Sequence, residues 1–223
     1  MKTVYAPGCA LMLYHPALAE KVQKYLSRAG LSEPMHKLCC RYEPGFAESV
    51  RLINTCSGCD RRFRDLYAGV STISLWEIIA ADEHFPWPRY EGLTVSIQDA
   101  CPTRSEERVH VAVRKLLMRM NIAVQEAAAS GTGAKCCGDC YVKTLGAAEA
   151  KHRMRERAQE MPTEHVVVYC VSCIKSMHVG GRTPLYLPAL LFGETTEVGV
   201  SEPEEWHREL DRYISQQGSP AQP

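Results

Sequence analysis

Ten of the eleven cysteines in this chain fall into two sets with the same internal order, and that repeat constrains the fold more than any other feature. The first set is Cys9, the pair Cys39-Cys40, and Cys56-Ser57-Gly58-Cys59. The second is Cys101, the pair Cys136-Cys137, and Cys170-Val171-Ser172-Cys173. Only Cys140 is left over. A lone cysteine, a pair and a CxxC, repeated, require a fold that gathers three separated segments twice. The gaps differ: 29 and 34 residues lie between the lone cysteine and the pair, and 15 and 32 between the pair and the CxxC.

The surroundings repeat as well. Thr3-Val4-Tyr5-Ala6 is a β-prone run leading through Pro7-Gly8 into Cys9, and Thr94-Val95-Ser96-Ile97 leads to Cys101-Pro102. A helix is predicted after each. Leu18, Val22, Tyr25 and Ala29 recur at helical spacing before Gly30, and Val109, Val113, Leu116 and Met120 recur after a Thr103/Glu106 capping box. Each CxxC follows a predicted strand, at 49–54 and 165–169, and precedes an apolar run, at 73–79 and 185–191. Alternating strands and helices predict an α/β fold in two pseudo-symmetric halves. Each half would be a small, mainly parallel sheet with helices, its cysteines on loops at one end of the strands. The expected divisions are 1–92, 93–200, and a C-terminal stretch 201–223. The seam lies near Phe85-Pro86-Trp87-Pro88-Arg89, where two prolines interrupt the pattern. The last stretch begins as a helix with a Ser201/Glu204 capping box and Pro203 in its first turn. It ends in a Gly-Ser-Pro-Ala-Gln-Pro tail expected to be disordered.

Composition decides how the cysteines are read. With 26 basic and 26 acidic residues the chain has no net charge to draw it to nucleic acid or a membrane surface. Its longest apolar runs, such as 78–81 and 166–169, are too short to span a bilayer, and Met1-Lys2-Thr3-Val4-Tyr5 carries no secretory apolar stretch. A cytoplasmic location is expected, and a reducing cytosol does not sustain a disulfide framework. Metal or redox chemistry is the remaining use for so many thiols. Zinc takes four ligands, whereas each set offers five, and the two CxxC motifs are too far apart for a zinc ribbon. A thioredoxin-like thiol would use a CxxC but leaves both cysteine pairs unexplained. Soft thiolates in excess of four suit an iron–sulfur cluster better.

The order C…CC…CxxC, with Cys136-Cys137-Gly138 in the second copy, resembles the cysteine-rich CCG domain of the heterodisulfide reductase B subunit. Tyr5-Ala6-Pro7-Gly8-Cys9 and Asp99-Ala100-Cys101-Pro102 resemble it too, and the likeness spans residues 3 to 193. The resemblance implies two non-cubane 4Fe-4S clusters. One would be held by Cys9, Cys39, Cys40, Cys56 and Cys59, the other by Cys101, Cys136, Cys137, Cys170 and Cys173. It further implies an oxidoreductase subunit that reduces a small disulfide with electrons from a ferredoxin-type iron–sulfur partner. The second cluster is favoured as the reactive one, with no individual catalytic residue assigned. The alternative is a non-catalytic electron-transfer or scaffold subunit with only the second cluster intact.

Several residues depart from that pattern. Arg41 follows the first pair where Gly138 follows the second, and 15 residues between Cys40 and Cys56 leave no room for a helix plus a strand. Cys140 is an extra thiol: a spare ligand, a redox thiol, or a small buried hydrophobe. His15, His36 and His178 sit near the motifs, and an ordinary surface or capping role is expected for each. Asp60-Arg61-Arg62 and Lys175, beside the two CxxC motifs, are expected on solvated helix faces. Lys151-His152-Arg153-Met154-Arg155-Glu156-Arg157 is basic but broken by glutamate, and nucleic-acid binding is not expected.

Overall fold

The structure is a computed structural model and describes residues 1–32 and 34–217. The terminal tail expected to be disordered, 218–223, lies outside the described residues. The chain divides into two compact units, Met1–Leu75 with His207–Pro223, and Trp76–Trp206.

In the first unit, strand β1 (Lys2–Ala6) runs through Pro7-Gly8 into helix α1 (Cys9–Tyr14) and then α2 (Pro16–Arg28). His15 separates the two helices, and its Nδ1 accepts the Leu18 N–H at 3.2 Å, the capping role expected of it. Leu18, Val22 and Leu26 bury one stripe of α2, and Gly30 follows its end in the left-handed conformation (φ 66°). Strand β2 (Val50–Asn54), helix α3 (Ser57–Leu66) and strand β3 (Val70–Ser74) follow, and helix α4 (Leu75–Ala81) carries the chain into the second unit. The sheet order is β1-β2-β3, all parallel, with Val4 beside Leu52 and Leu52 beside Thr72. Met35 adds an isolated parallel bridge to Tyr5. The core joins Val4, Leu52, Phe63 and four of the five cysteines of the first set to Ile214.

The second unit opens with strand β4 (Thr94–Gln98), a short 3-10 turn at Cys101–Thr103, helix α5 (Glu107–Arg119) and the two-residue strand β5 (Ala123–Val124). Helices α6 (Val142–Leu145) and α7 (Ala147–Gln159) precede strand β6 (His165–Val168) and helix α8 (Val171–Val179). Strand β7 (Thr183–Tyr186), helix α9 (Leu187–Leu191) and helix α10 (Pro203–Gln217) complete the chain, and α10 returns to the first unit from His207 onward. The sheet order is β5-β4-β6-β7, again all parallel. Burial on both faces explains why β6 reads as a near-continuous apolar run, while β4 buries Ser96 and Gln98 in alternation with Val95 and Ile97. The protein is therefore α/β, with two parallel sheets of three and four strands and accompanying helices. No helix among the described residues is long and apolar enough to cross a membrane.

The apolar stripe expected for α5 is present: Val109, Val113, Leu116 and Met120 are all buried. The capping box expected beside it is not. Glu106 is itself the N-cap and makes no side-chain cap bond, because the Thr103 hydroxyl donates instead to the Ala100 carbonyl at 2.7 Å. Thr103 belongs to a buried polar network centred on Asp99. The Asp99 carboxylate, with no exposed surface, takes two hydrogen bonds from Arg114 (3.0 and 2.8 Å), one from the Gly131 N–H (2.7 Å) and one from the Tyr169 hydroxyl (3.0 Å). Burial opposes its charge, but Arg114 and the Gly131 N–H win and hold its pKa below the usual carboxylate range.

This geometry separates two ion pairs made by one arginine. Arg114→Met strands the buried Asp99 charge and should cost about 3–5 kcal/mol, read as an earlier urea midpoint. Glu126→Gln removes only Arg114's half-exposed partner at 2.7 Å and should cost less than about 1 kcal/mol.

Candidate thiol site

Parallel strands end at a common edge, and the cysteines are placed relative to those ends at repeated offsets. Cys9 lies three residues beyond β1 and Cys101 three beyond β4. Cys56 lies two beyond β2 and Cys170 two beyond β6. Cys56 and Cys170 are the N-cap residues of α3 and α8, so Cys59 and Cys173 fall in the first turns of those helices. Gly8 makes the first approach possible. At its φ of 83° an added Cβ would stand 2.7 Å from Cys56 Cβ and 3.2 Å from Cys59 Sγ.

Within each unit the five thiols form a row. In the first, Cys9 meets Cys39 with its sulfur at 3.6 Å; Cys39 is hydrogen-bonded to Cys40, Cys40 to Cys59, and Cys59 to Cys56. In the second, Cys101 meets Cys136, Cys136 meets Cys137, Cys137 meets Cys173, and Cys173 meets Cys170. The connectivity is the same in both: lone cysteine, first of the pair, second of the pair, second of the CxxC, first of the CxxC. All ten cysteines singled out in the sequence are therefore brought together, five to a unit.

Hydrogen bonding along each row lowers the pKa of the first cysteine of the pair and raises those of the neighbours bonded to it. Hydrogen bonds from Cys40 and Cys9 bring Cys39 down to about 3 against the cost of burial, helped by the Arg41 N–H. Hydrogen bonds from Cys101 and Cys137, with the Gly138 N–H, lower Cys136 likewise. Their neighbours move the other way. Cys9 is pushed up by its bond to Cys39 and by burial, and Cys101 by its bond to Cys136 and by burial. Cys40 rises to about 12 through its bond to Cys39, while Cys56 falls to about 7 through its bond to Cys59.

The pair is delivered differently in the two units. Gly138 sits at φ 105°, and a Cβ there would lie 2.7 Å from Met154 Cγ and 2.8 Å from the Met154 backbone nitrogen. Chain reversal against α7 thus requires glycine. Arg41, in the equivalent place, is not among the positive-φ residues. The first spacer holds strand β2 but no helix, as its length predicts, and the second holds α6, α7 and β6. With no helix to pack against, the chain after Cys40 needs no left-handed residue. Instead the Tyr67 hydroxyl (3.1 Å) and Arg62 Nε (3.3 Å) donate to the Cys40 carbonyl.

The flanking residues correct two expectations. Lys175 is not on a solvated face: it is 1% exposed, its Nζ bonds the Val198 carbonyl, and it lies 5.0 Å above the Trp206 ring. Asp60 is also buried, pairing with Arg64 at 2.8 Å, while Arg61 is exposed. Cys140 is exposed, which removes the reading of it as a buried hydrophobe. His36 lies against Phe46 and Phe63, with burial lowering its pKa, and His178 is exposed. The basic run on α7 is engaged internally. Lys151 pairs with Glu202 and Arg153 with Glu149, and Arg157, 2% exposed, bonds Gln98, the Ala129 carbonyl and Glu160. Sequence reasoning missed the Asp99–Arg114–Tyr169 network behind Cys101. Its only local signal was Asp99-Ala100-Cys101.

No known family model matches the chain, and no curated protein matches it. Among solved structures it is similar to glutamate racemase isoform RacE1 from Bacillus anthracis, at 10% identity and a TM-score of 0.38 over 98% of this chain and 82% of that one. It is also similar to the Picrophilus torridus aspartate racemase, at 12% identity and a TM-score of 0.35 over 95% and 100%. The functional expectation is corrected: no family model and no curated protein carries a disulfide-reductase or iron–sulfur oxidoreductase reading. Among the described residues no group of three or more His, Cys, Asp or Glu is arranged to hold a single metal ion, which corrects the expectation of a preformed iron–sulfur site. The disulfide-reducing enzyme fed by a ferredoxin-type partner is withdrawn, and so is its electron-relay alternative.

Gly138→Ala tests whether the second row depends on the turn after its pair. A positive φ costs a side chain about 1–2 kcal/mol, and contact with the Met154 backbone adds to it. The variant should melt earlier and expose Cys137, buried in the native protein, to a thiol reagent. Gly45→Ala, at φ 64° with nothing within 4 Å, should pay the backbone cost alone and leave thiol reactivity unchanged.

Proposed function

We propose that each five-thiol row is a binding site for a thiophilic, polynuclear metal group, held by Cys9, Cys39, Cys40, Cys56 and Cys59 in one unit and by Cys101, Cys136, Cys137, Cys170 and Cys173 in the other. The observation that carries this reading is the identical connectivity of the two rows despite spacers of 15 and 32 residues. Two different chain paths converge on one arrangement of sulfur, which packing alone does not require. The donor set fits a soft metal: five sulfurs, with no carboxylate or imidazole in either row. Zinc in a tetrahedral site would use four and strand the fifth. The cofactors this reading takes up are the two non-cubane 4Fe-4S clusters implied by the likeness to the CCG domain. The proposal concerns the binding of that group, and no reductase or relay activity goes with it.

The topology supports reading the halves as pseudo-symmetric. Placing β1 on β4, β2 on β6 and β3 on β7 superposes the strand orders, and the Met35 bridge to Tyr5 then takes the place of β5 beside β4. Each matched pair carries the same cysteine element at the same offset.

Reconstitution of the full chain with iron and sulfide under anaerobic conditions tests the proposal. The expected product holds up to about eight irons, four per row. Cys39→Ser and Cys136→Ser should each remove about half, since each breaks one row only. A chain that takes up no iron, or that holds one zinc per row undisturbed by Cys39→Ser, contradicts it.

A further inference from the structure

Cys140 stands outside both rows, yet its sulfur lies 3.1 Å from that of Cys136. A disulfide bond is about 2.05 Å long, so these sulfurs are about 1 Å from bonding distance. Both are reachable. Cys140 is exposed, and Cys136, half-buried, lines a cavity of about 450 Å³ with Arg104, Lys135, Arg153 and Arg157, the last three paired with Glu156 or Glu160 in the same lining. The other row has no equivalent, because the residue four beyond Cys39 is Glu43. An accessible cysteine sulfur in contact with that of a second, exposed cysteine is the arrangement found in peroxide-reactive dithiols.

We propose that Cys136 and Cys140 form a peroxide-sensitive dithiol whose oxidation to a disulfide removes Cys136 from the second row. The Cys136 thiolate attacks one peroxide oxygen. The O–O bond breaks, the leaving hydroxide takes a proton to become water, and Cys136 becomes a sulfenic acid. The Cys140 sulfur then displaces the sulfenic hydroxyl, which leaves as a second water. One dithiol and one hydrogen peroxide thus give one disulfide and two waters, the sulfur pair losing two electrons and the peroxide gaining them. Cys136 is hydrogen-bonded to both Cys101 and Cys137, so its loss removes the hydrogen-bonded connection of the lone cysteine to the pair. This second consequence rests on the rows being metal-group sites; the disulfide does not.

The test uses the full-length, metal-free, reduced chain, treated with stoichiometric hydrogen peroxide, capped with iodoacetamide and digested with trypsin. Cleavage after Lys135 and Lys143 releases residues 136–143 as one peptide. The expected species carries a single cap, on Cys137, and is lighter by two hydrogens. In Cys140→Ser it should vanish, with Cys136 instead trapped by dimedone as the sulfenic acid. A wild-type peptide with three caps, or one cross-linked to the Cys101 peptide, overturns the dithiol. Iron uptake from sulfide-containing buffer, measured on the oxidised chain, should fall by about half and recover with dithiothreitol. Undiminished uptake by a chain carrying the disulfide overturns the effect on the row. Iron uptake by neither form contradicts the metal reading while the peptide result still decides the dithiol.

Discussion

Parallel pairing of β1 with β2, and of β4 with β6, is the constraint on which the sulfur arrangement depends. In a parallel sheet every strand leaves at the same edge, so a cysteine set two or three residues past each strand must meet its neighbours there. Connections between parallel strands are long, and here they carry helices: α1 and α2 between β1 and β2, and α5 to α7 between β4 and β6. The cysteine pair rides on that connection. It returns toward the sheet edge before the next strand begins, which is why it can bridge the lone cysteine and the CxxC in both units.

Bringing five thiols together in a mostly buried place has an electrostatic consequence. Thiolates repel one another strongly once removed from water, so a row without a cation shares protons and charges only some members. The pKa values of Cys39 and Cys136 are lowered by hydrogen bonds from the neighbouring cysteines and by the Arg41 and Gly138 N–H groups. Behind Cys101 the polar network around Asp99 serves a different end. It fixes the strand end of β4 to α5 through Arg114 and to the residue after β6 through Tyr169, so the loop holding Cys101 has little freedom. The first unit anchors its corresponding loop more simply, with the Tyr5 and Thr55 hydroxyls 2.9 Å apart.

Much of this was legible before any coordinates. Strand runs ending in Pro7-Gly8-Cys9 and leading to Cys101-Pro102 are local signals, as are the apolar stripes of α2 and α5, and the lengths of the two spacers foretold where helices fit. What escaped was set by contacts distant in sequence. Lys175 reads as an exposed helical lysine because nothing nearby announces that Trp206 will cover it. Thr103 reads as a capping residue because the Ala100 carbonyl and Tyr169 become competitors only once the loop folds. Strand β5 has two residues and the Met35 bridge one, too few to show any period. The disulfide-reductase reading rests on the cysteine order and on the short motifs around Cys9, Cys101 and Cys137, which fix which sulfurs meet without fixing what is done with them.

The central claim is that each row is one site for a polynuclear, sulfur-bound metal group. X-ray absorption at the metal edge of the reconstituted full-length chain tests it most directly. The account predicts an all-sulfur first shell from thiolate and sulfide, together with a metal–metal scattering shell. A lone metal with no metal–metal shell, or a first shell dominated by nitrogen and oxygen, would contradict it.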